Sequence, residues 1–197
     1  PFAPASLDAV VSNLSLQWVN DLPGALAQIR QALKPDGLFL AAVMGGQTLH
    51  ELRDCLMQAE IEVYGGVSPR TSPLIDMHDM SALMQRASFA LPVVDRDTIE
   101  IDYASVFSLM HDLRGMAATN STLVREKRPV SRRLMLEAAR LYAEKYPALE
   151  AEEGISATFE VIYMIGWAPA ANQQQPLKPG SAKIRLADAL GGEEKKI

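Results

Sequence analysis

The sequence contains almost no cysteine. Cys55 is the single cysteine in 197 residues, which excludes an intramolecular disulfide and a zinc site built from cysteines. Long hydrophobic runs are also missing, since none approaches the ~20 apolar residues of a membrane-spanning helix. Positive charge is scarce as well: 19 Lys and Arg face 24 Asp and Glu, and the net charge of −5 argues against a general nucleic-acid binder.

The composition that remains is typical of a globular protein. Hydrophobic residues make up 48% and charged residues 22% of the chain, and its length suits one domain, or one domain with an appendage. The chain opens on Pro1 without an initiator Met and runs almost at once into an apolar segment. We therefore expect it to be a fragment, or the ordered part of a longer chain.

Hydrophobic periodicity predicts alternating strands and helices. We expect strands at 7–12, 38–44, 91–103 (one long strand or a pair) and 157–167, and helices at 22–34, 48–64, 76–87, 105–116 and 132–145. The first strand is predicted to be buried on both faces, because its apolar run is nearly continuous. The first helix can serve as the crossover between two parallel strands. The fold class is therefore α/β.

Polar and aromatic residues follow the first predicted strand. Asn13, Leu14, Ser15 and Trp18 lie where ligands bind in an open α/β sheet, outside the carboxyl ends of parallel strands, and Gly45-Gly46 lies at the next such end. An ordinary loop with Trp18 packed on the next helix is the alternative interpretation.

Several longer motifs resemble one family, the mitochondrial complex I assembly factors of methyltransferase fold, which are related to bacterial malonyl-carrier-protein methyltransferases. The specific combination is GGxTLxELR with GGxSPRxSPL and YMIGW. The stretches that carry the resemblance are SNLSLQWVNDLPGAL (12–26), LKPDGLFLAAVMGGQTLHELR (33–53), GGVSPRTSPL (65–74), ATFEVIYMIGWAP (157–169) and PGSAKI (179–184).

The resemblance implies the C-terminal part of a class I S-adenosylmethionine-dependent methyltransferase sheet, which is Rossmann-like. Residues 1–169 would form this part, with a helical insertion at about 104–147, and 170–197 would be a flexible tail. The implied activity is hydroxylation of a protein arginine. The implied substrate is an iron–sulfur subunit of respiratory complex I, with a small assembly protein as a further partner. The implied place is the mitochondrial matrix at the inner membrane, or the cytoplasm for a bacterial protein.

The same resemblance implies S-adenosylmethionine as cofactor. The matching positions are Ser12, Asn13, Leu14 and Trp18, which would contact its methionine or adenosyl part. The family's glycine-rich loop and its ribose-binding acid do not occur in this sequence, and no GxGxG is present. We expect those parts to lie before Pro1, so that this chain holds an incomplete cofactor site.

An arginine substrate needs a carboxylate, because burying an unpaired guanidinium is costly. The candidates for this catalytic role are Glu51, Asp76 and Asp79, with Glu51 first because its helix follows Gly45-Gly46. Arg70 lies in a loop that looks too polar for packing and could bind a carboxylate or phosphate of the substrate. Solvated surface charges are the alternative for these residues.

A hydroxylase also raises the question of iron. The histidines His50, His78 and His111 lack the spacing of a two-histidine, one-carboxylate site, so exposed helix histidines are the simpler interpretation. No metal ligand is predicted, and iron rests on the resemblance alone.

A local basic patch competes with the arginine-substrate hypothesis. It would suit an acidic partner or peripheral contact with anionic lipid, and it consists of Arg125, Lys127, Arg128, Arg132, Arg133 and Arg140. Two alternative functions therefore remain: a methyltransferase acting on a small molecule or carrier protein, and a non-catalytic assembly chaperone.

Overall fold

A computed structural model describes residues 2–127, 129–174, 180, 181 and 184. The strands are β1 (Leu7–Asn13), β2 (Leu33–Met44), β3 (Ala90–Tyr103) and β4 (Ile155–Trp167). The helices are α1 (Leu22–Ala32), α2 (His50–Tyr64), α3 (Met77–Arg86), α4 (Val106–Gly115) and α5 (Arg132–Lys145). The predicted α/β class is confirmed. Most of the predicted flexible tail at 170–197 lies outside the described residues.

The four strands form one sheet in the order β1-β2-β4-β3. β1 pairs with β2 in parallel, whereas β4 runs antiparallel to both β2 and β3. The α1 crossover between β1 and β2 is therefore present as predicted. The segment at 91–103 belongs to one long strand rather than a pair, and it pairs with β4 along nearly its whole length.

Short polar side chains begin most of the helices described, although α2 follows Leu49 without a side-chain cap. Asp21, Asp76 and Ser131 each accept a hydrogen bond from a backbone N–H of the first turn, which satisfies a donor that has no partner inside the helix. The end of α1 was predicted too late. α1 ends at Ala32, because Leu33 is extended and already pairs with Leu7 of β1.

The structure has two hydrophobic cores, which contact different parts of the sheet. The first joins one face of the sheet to α1 and α3, and includes Leu26, Phe39, Met80, Met84 and Ile162. The second joins α2, α4 and α5, here called the helical cap, to the ends of β3 and β4, and includes Cys55, Leu109, Leu134, Tyr142 and Phe159. The cap therefore contains α2 as well as the predicted insertion at about 104–147.

The sheet face opposite α1 and α3 is left uncovered by the residues that the structure describes. A cross-strand row of apolar side chains marks this uncovered face, and it consists of Val11, Leu40, Ile165 and Val93. Val11 is 68% exposed and Val93 56% exposed. The prediction that β1 is buried on both faces was wrong, because α1 and α3 pack on the other face only. No helix of the described residues is both long and apolar enough to cross a membrane.

The uncovered face predicts self-association. Replacing Val11 and Val93 by Thr keeps the β-branched shape but makes the row polar, so the associated fraction should fall. Size-exclusion chromatography with light scattering measures this fraction. Val67→Thr is the matched control, since Val67 is similarly exposed (60%) but lies in the loop after α2. A parent chain that is monomeric at high concentration would contradict the prediction.

Candidate functional site

The carboxyl end of β1 opens into a short loop that carries the predicted cofactor residues. Leu14 adopts a left-handed backbone conformation (φ 48°), and its N–H donates to the carbonyl of Ala42 on β2. Asn13 and Leu14 are exposed, Ser12 is half-buried, and Trp18 is 46% exposed at the end of a single 3₁₀ turn. These four residues therefore lie together at one open end of the sheet, and Trp18 is not a core residue.

The segment at 45–49, between β2 and α2, is bound tightly to β4. The carbonyl of Glu160 accepts from Gly45 N (2.8 Å) and from Thr48 Oγ1 (3.0 Å). Its carboxylate accepts from Gln47 N at 3.0 Å and lies 3.3 Å from Arg96 Nη1. A Cβ at Gly45 would overlap the side chain of Glu160, so a larger residue here would have to displace that buried carboxylate. Sequence analysis did not single out Glu160, although an acid inside an apolar strand was a visible signal.

Glu51 is buried at the start of α2 rather than open at the rim. One of its carboxylate oxygens, Oε1, accepts a hydrogen bond from Thr158 Oγ1 on β4. The other, Oε2, accepts none from any residue that the structure describes, and lies 3.4 Å from His50 Nδ1. Glu51 is therefore a buried carboxyl group with a spare acceptor oxygen, and the half-exposed His50 is its neighbour on that side.

Burial also shapes the neighbours of Glu51. Desolvation, followed by the negative charge of Asp54, raises the pKa of the Cys55 thiol to about 11. Desolvation together with the charge of Glu51 raises the pKa of Tyr142. Both groups therefore stay protonated near neutral pH, which removes Cys55 as a nucleophile.

Arg70 is packed rather than solvated, so the expectation of a loop too polar for packing was wrong. Its Nε donates to Glu60 Oε1 at 2.6 Å, and its side chain is only 13% exposed. Glu60 also accepts from Ser68 N (2.7 Å) and Ser68 Oγ (2.5 Å). These contacts, here called the Glu60 clamp, hold the GGVSPRTSPL loop against α2.

Asp76 and Asp79 lie at the start of α3. Asp76 Oδ1 accepts from Asp79 N at 2.8 Å, so Asp76 caps the helix. Ile75 forms a bridge with Gly45, and Asp76 lies directly beside Gly46. The fold thus brings Asp76 to the end of β2, close to the start of the segment that leads to Glu51.

The three histidines are not brought together. His50 precedes Glu51, His78 lies in the first turn of α3, and His111 lies on α4. Within residues 2–127 and 129–174, no three His, Cys, Asp or Glu side chains are grouped as a metal site.

A cavity of about 690 Å³ lies in the helical cap, between α2, α4, α5 and the loops that join them. Sequence analysis missed it, because its walls come from segments far apart in the chain. Its lining comprises Leu56, Pro69, Arg70, Phe107, Met110, His111, Arg114, Asn120, Arg125, Glu126, Val130 and Met135. Of the described members of the basic patch, only Arg125 contributes to this cap cavity.

The chain is similar to known proteins over nearly its whole length, including the helical cap. Residues 1–41 match the model of a methyltransferase domain. The chain is 44% identical to the mitochondrial arginine-hydroxylase NDUFAF5 of Danio rerio over 95% of this chain and 58% of that protein. It is 45% identical to the Homo sapiens protein of the same name over 95% of this chain and 54% of that one. The malonyl-[acyl-carrier protein] O-methyltransferase of Laribacter hongkongensis is 36% identical, over 91% and 57%.

Solved structures agree with this fold. A proposed methyltransferase of Bacillus halodurans superposes with a TM-score of 0.52 at 13% identity, over 86% of this chain and 73% of that one. The YcgJ protein of Bacillus subtilis gives 0.52 at 12% identity, over 87% and 68%. The chain therefore has the fold of a class I S-adenosylmethionine-dependent methyltransferase. It spans about half the length of the curated relatives that it matches.

The Glu60 clamp predicts a stability that depends on pH. Burial raises the pKa of Glu60, but the hydrogen bonds from Ser68 and Arg70 outweigh it and hold the pKa below its usual 4.5. A lowered carboxylate pKa stabilises the fold above the unfolded pKa, and this contribution is lost as the pH falls. Glu60→Gln should therefore cost about 1.5–3 kcal/mol near pH 7 and much less in acid.

Urea unfolding at pH 7 and at acid pH measures this difference. Glu153→Gln is the control, since Glu153 is exposed between α5 and β4. An equal loss of stability at both pH values in Glu60→Gln would show that the charge of the clamp is unimportant.

Proposed function

We propose that this chain is the cap-bearing part of an enzyme that modifies an arginine side chain of a protein, by hydroxylation. The observation that carries the proposal is 44–46% identity to arginine-hydroxylases over 94–99% of this chain. That span includes both hydrophobic cores and the 45–49 segment. An iron–sulfur subunit of respiratory complex I is the proposed substrate, and a small assembly protein is a proposed further partner.

The mitochondrial matrix is the proposed location, on the strength of the relatives' mitochondrial names. Association with the inner membrane is also proposed. It is supported by the exposed basic residues around the start of α5, Arg132 and Arg133, which could contact anionic lipid.

The residues at the end of β1 fit one side of S-adenosylmethionine. Trp18 offers an exposed ring, and Asn13 and Leu14 offer exposed positions beside it, as a nucleoside or methionine moiety requires. When bound, this cofactor would supply a methyl group activated by its sulfonium charge, which serves methyl transfer. Hydroxylation would instead take one oxygen atom from molecular oxygen, and an external two-electron donor would reduce the other oxygen atom to water. The described residues offer no metal cluster that would support iron at this site.

Glu51 and Asp76 are the proposed carboxylates for the substrate guanidinium. Glu51 Oε2 has a spare lone pair, and an unsatisfied buried acceptor is costly unless it gains a partner. A guanidinium that displaced His50 would provide that partner. Asp79 is the third candidate, and its N–H already donates to Asp76.

A second candidate function is methyl transfer to an acyl group on a carrier protein. The observation that favours it is the positive lining of the cap cavity, where Arg114 and Arg125 would attract an acidic partner. The relatives named malonyl-[acyl-carrier protein] O-methyltransferase also cover 87–91% of this chain at 35–36% identity.

Mass spectrometry of the proposed substrate subunit separates these functions. Subunit from cells with the protein should carry an arginine heavier by one oxygen atom, and subunit from cells without it should not. A gain of one methylene group would favour methyl transfer. An unmodified subunit that still fails to assemble without the protein would favour a non-catalytic chaperone.

Glu51→Gln should lower arginine modification in the same measurement. The change keeps the shape and the contact with Thr158 but removes the charge, so a thermal melt should change little. Asp76→Asn is a matched variant, since Asn also caps helices. Unchanged modification in Glu51→Gln, Asp76→Asn and Asp79→Asn would place the guanidinium partner elsewhere.

Trp18→Ala should weaken S-adenosylmethionine binding in the full-length protein with little loss of melting temperature. The physical reason is that Trp18 is half-exposed, so its removal leaves no large cavity in the core. Calorimetry and a thermal melt with and without ligand test both halves of this statement. A large drop in melting temperature without ligand would instead make Trp18 a packing residue.

A further inference from the structure

We propose that the cap cavity binds a small amphiphile, with its carboxylate near Arg114 and Arg125 and its alkyl chain against the apolar wall. This inference goes beyond the modification of arginine, because it concerns a second, chemically opposite ligand. Arg70, Arg114 and Arg125 line the cavity against one acid, Glu126, so the excess of positive charge favours a carboxylate over a cationic guanidinium.

The size and walls of the cavity suit a small molecule. Its volume of about 690 Å³ lies within the range of ligand pockets, which are mostly apolar with a few convergent polar groups. Leu56 of α2, Phe107 and Met110 of α4, and Met135 of α5 supply apolar surface from three helices. Methionine side chains adapt to flexible chains, which fits an alkyl tail.

The charge of the cavity selects the head group. The carbonyl of Arg114 accepts a hydrogen bond from Ala117 N, whereas its guanidinium makes no hydrogen bond or ion pair with the residues that the structure describes. Arg125 uses one nitrogen, Nη1, to donate to the carbonyl of Thr122, which leaves other donors of its guanidinium available. Two arginines with donors to spare at one apolar cavity are suited to bind a carboxylate.

Arg70 also lines the cavity, but its charge is paired with Glu60. Its Nε is bound to Glu60, which fixes the position of the guanidinium in the cavity wall. The Glu60 clamp thus compensates the charge of Arg70 and leaves Arg114 and Arg125 as the main attraction for an anion.

The cavity is separate from the strand-end site. None of its lining residues belongs to 12–18 or to 45–51, and Leu56 is its sole contribution from α2. Walls on several sides favour a compact ligand over an extended peptide, which needs a groove open at both ends.

Calorimetry with dodecanoate, below its micelle concentration, tests the proposal on the full-length protein. We expect saturable binding, with no binding of dodecyltrimethylammonium, which has the same chain and the opposite charge. The double variant Arg114→Gln, Arg125→Gln should weaken dodecanoate binding by about tenfold or more. Met110→Trp, which fills the cavity, should weaken it independently of charge.

The matched control is Arg86→Gln, since Arg86 is exposed at the end of α3 and does not line the cavity. This control should bind dodecanoate like the parent. A second arm of the experiment measures binding to phosphatidylglycerol vesicles, which tests whether the protein recognises an anionic membrane surface instead of a free carboxylate. Three results would each overturn the proposal. The parent protein could fail to bind dodecanoate, the double variant and Met110→Trp could both bind it as tightly as the parent does, or the protein could bind the vesicles but not free dodecanoate.

Discussion

The architecture depends on one constraint, the attachment of the 45–49 segment to Glu160 in β4. Gly45 and Thr48 bond to the backbone of Glu160, and Gln47 N donates to its carboxylate. Leu49 N then donates to the carbonyl of Thr158, two residues earlier on the same strand. Because α2 begins directly after this segment, these bonds set the position of α2 and, through it, of the whole helical cap over the sheet.

A motif that carries a family resemblance can therefore reflect folding as much as chemistry. Within GGQTLHELR, Gly45 avoids a clash, Thr48 bonds to Glu160, and Arg53 Nη2 donates to the carbonyl of Gly46 at 2.9 Å. Within GGVSPRTSPL, Ser68 and Arg70 bind Glu60. Glu51 differs from these residues, since one of its oxygens remains without a donor among the described residues. That difference makes it the better candidate for chemistry.

The sequence was sufficient to predict the elements and the fold class, because capping residues and apolar periodicity are local signals. Ser131, for example, begins α5 where predicted, and β2 is an unbroken apolar run from Leu38. It was not sufficient for contacts between distant segments. The Glu60 carboxylate accepts a hydrogen bond from Arg70, which lies in the loop after α2. Gly45 N donates to the carbonyl of Glu160, which is more than a hundred residues later in the sequence. The exposure of Val11 could not be predicted either, since burial depends on which elements pack on each face.

The antiparallel position of β4 has a consequence for biosynthesis. Within residues 2–174, β4 is the last strand along the chain, yet it lies between β2 and β3, which do not pair with each other. During translation, β2 and β3 would therefore leave the ribosome with unsatisfied inner edges, and they would wait until residue 167 had emerged. Such non-local pairing slows folding, so the unpaired strand edges remain exposed for longer. A nascent chain stalled with β4 still inside the ribosome would be an aggregation-prone substrate for chaperones. Once Trp167 has emerged, β4 can pair with both β2 and β3.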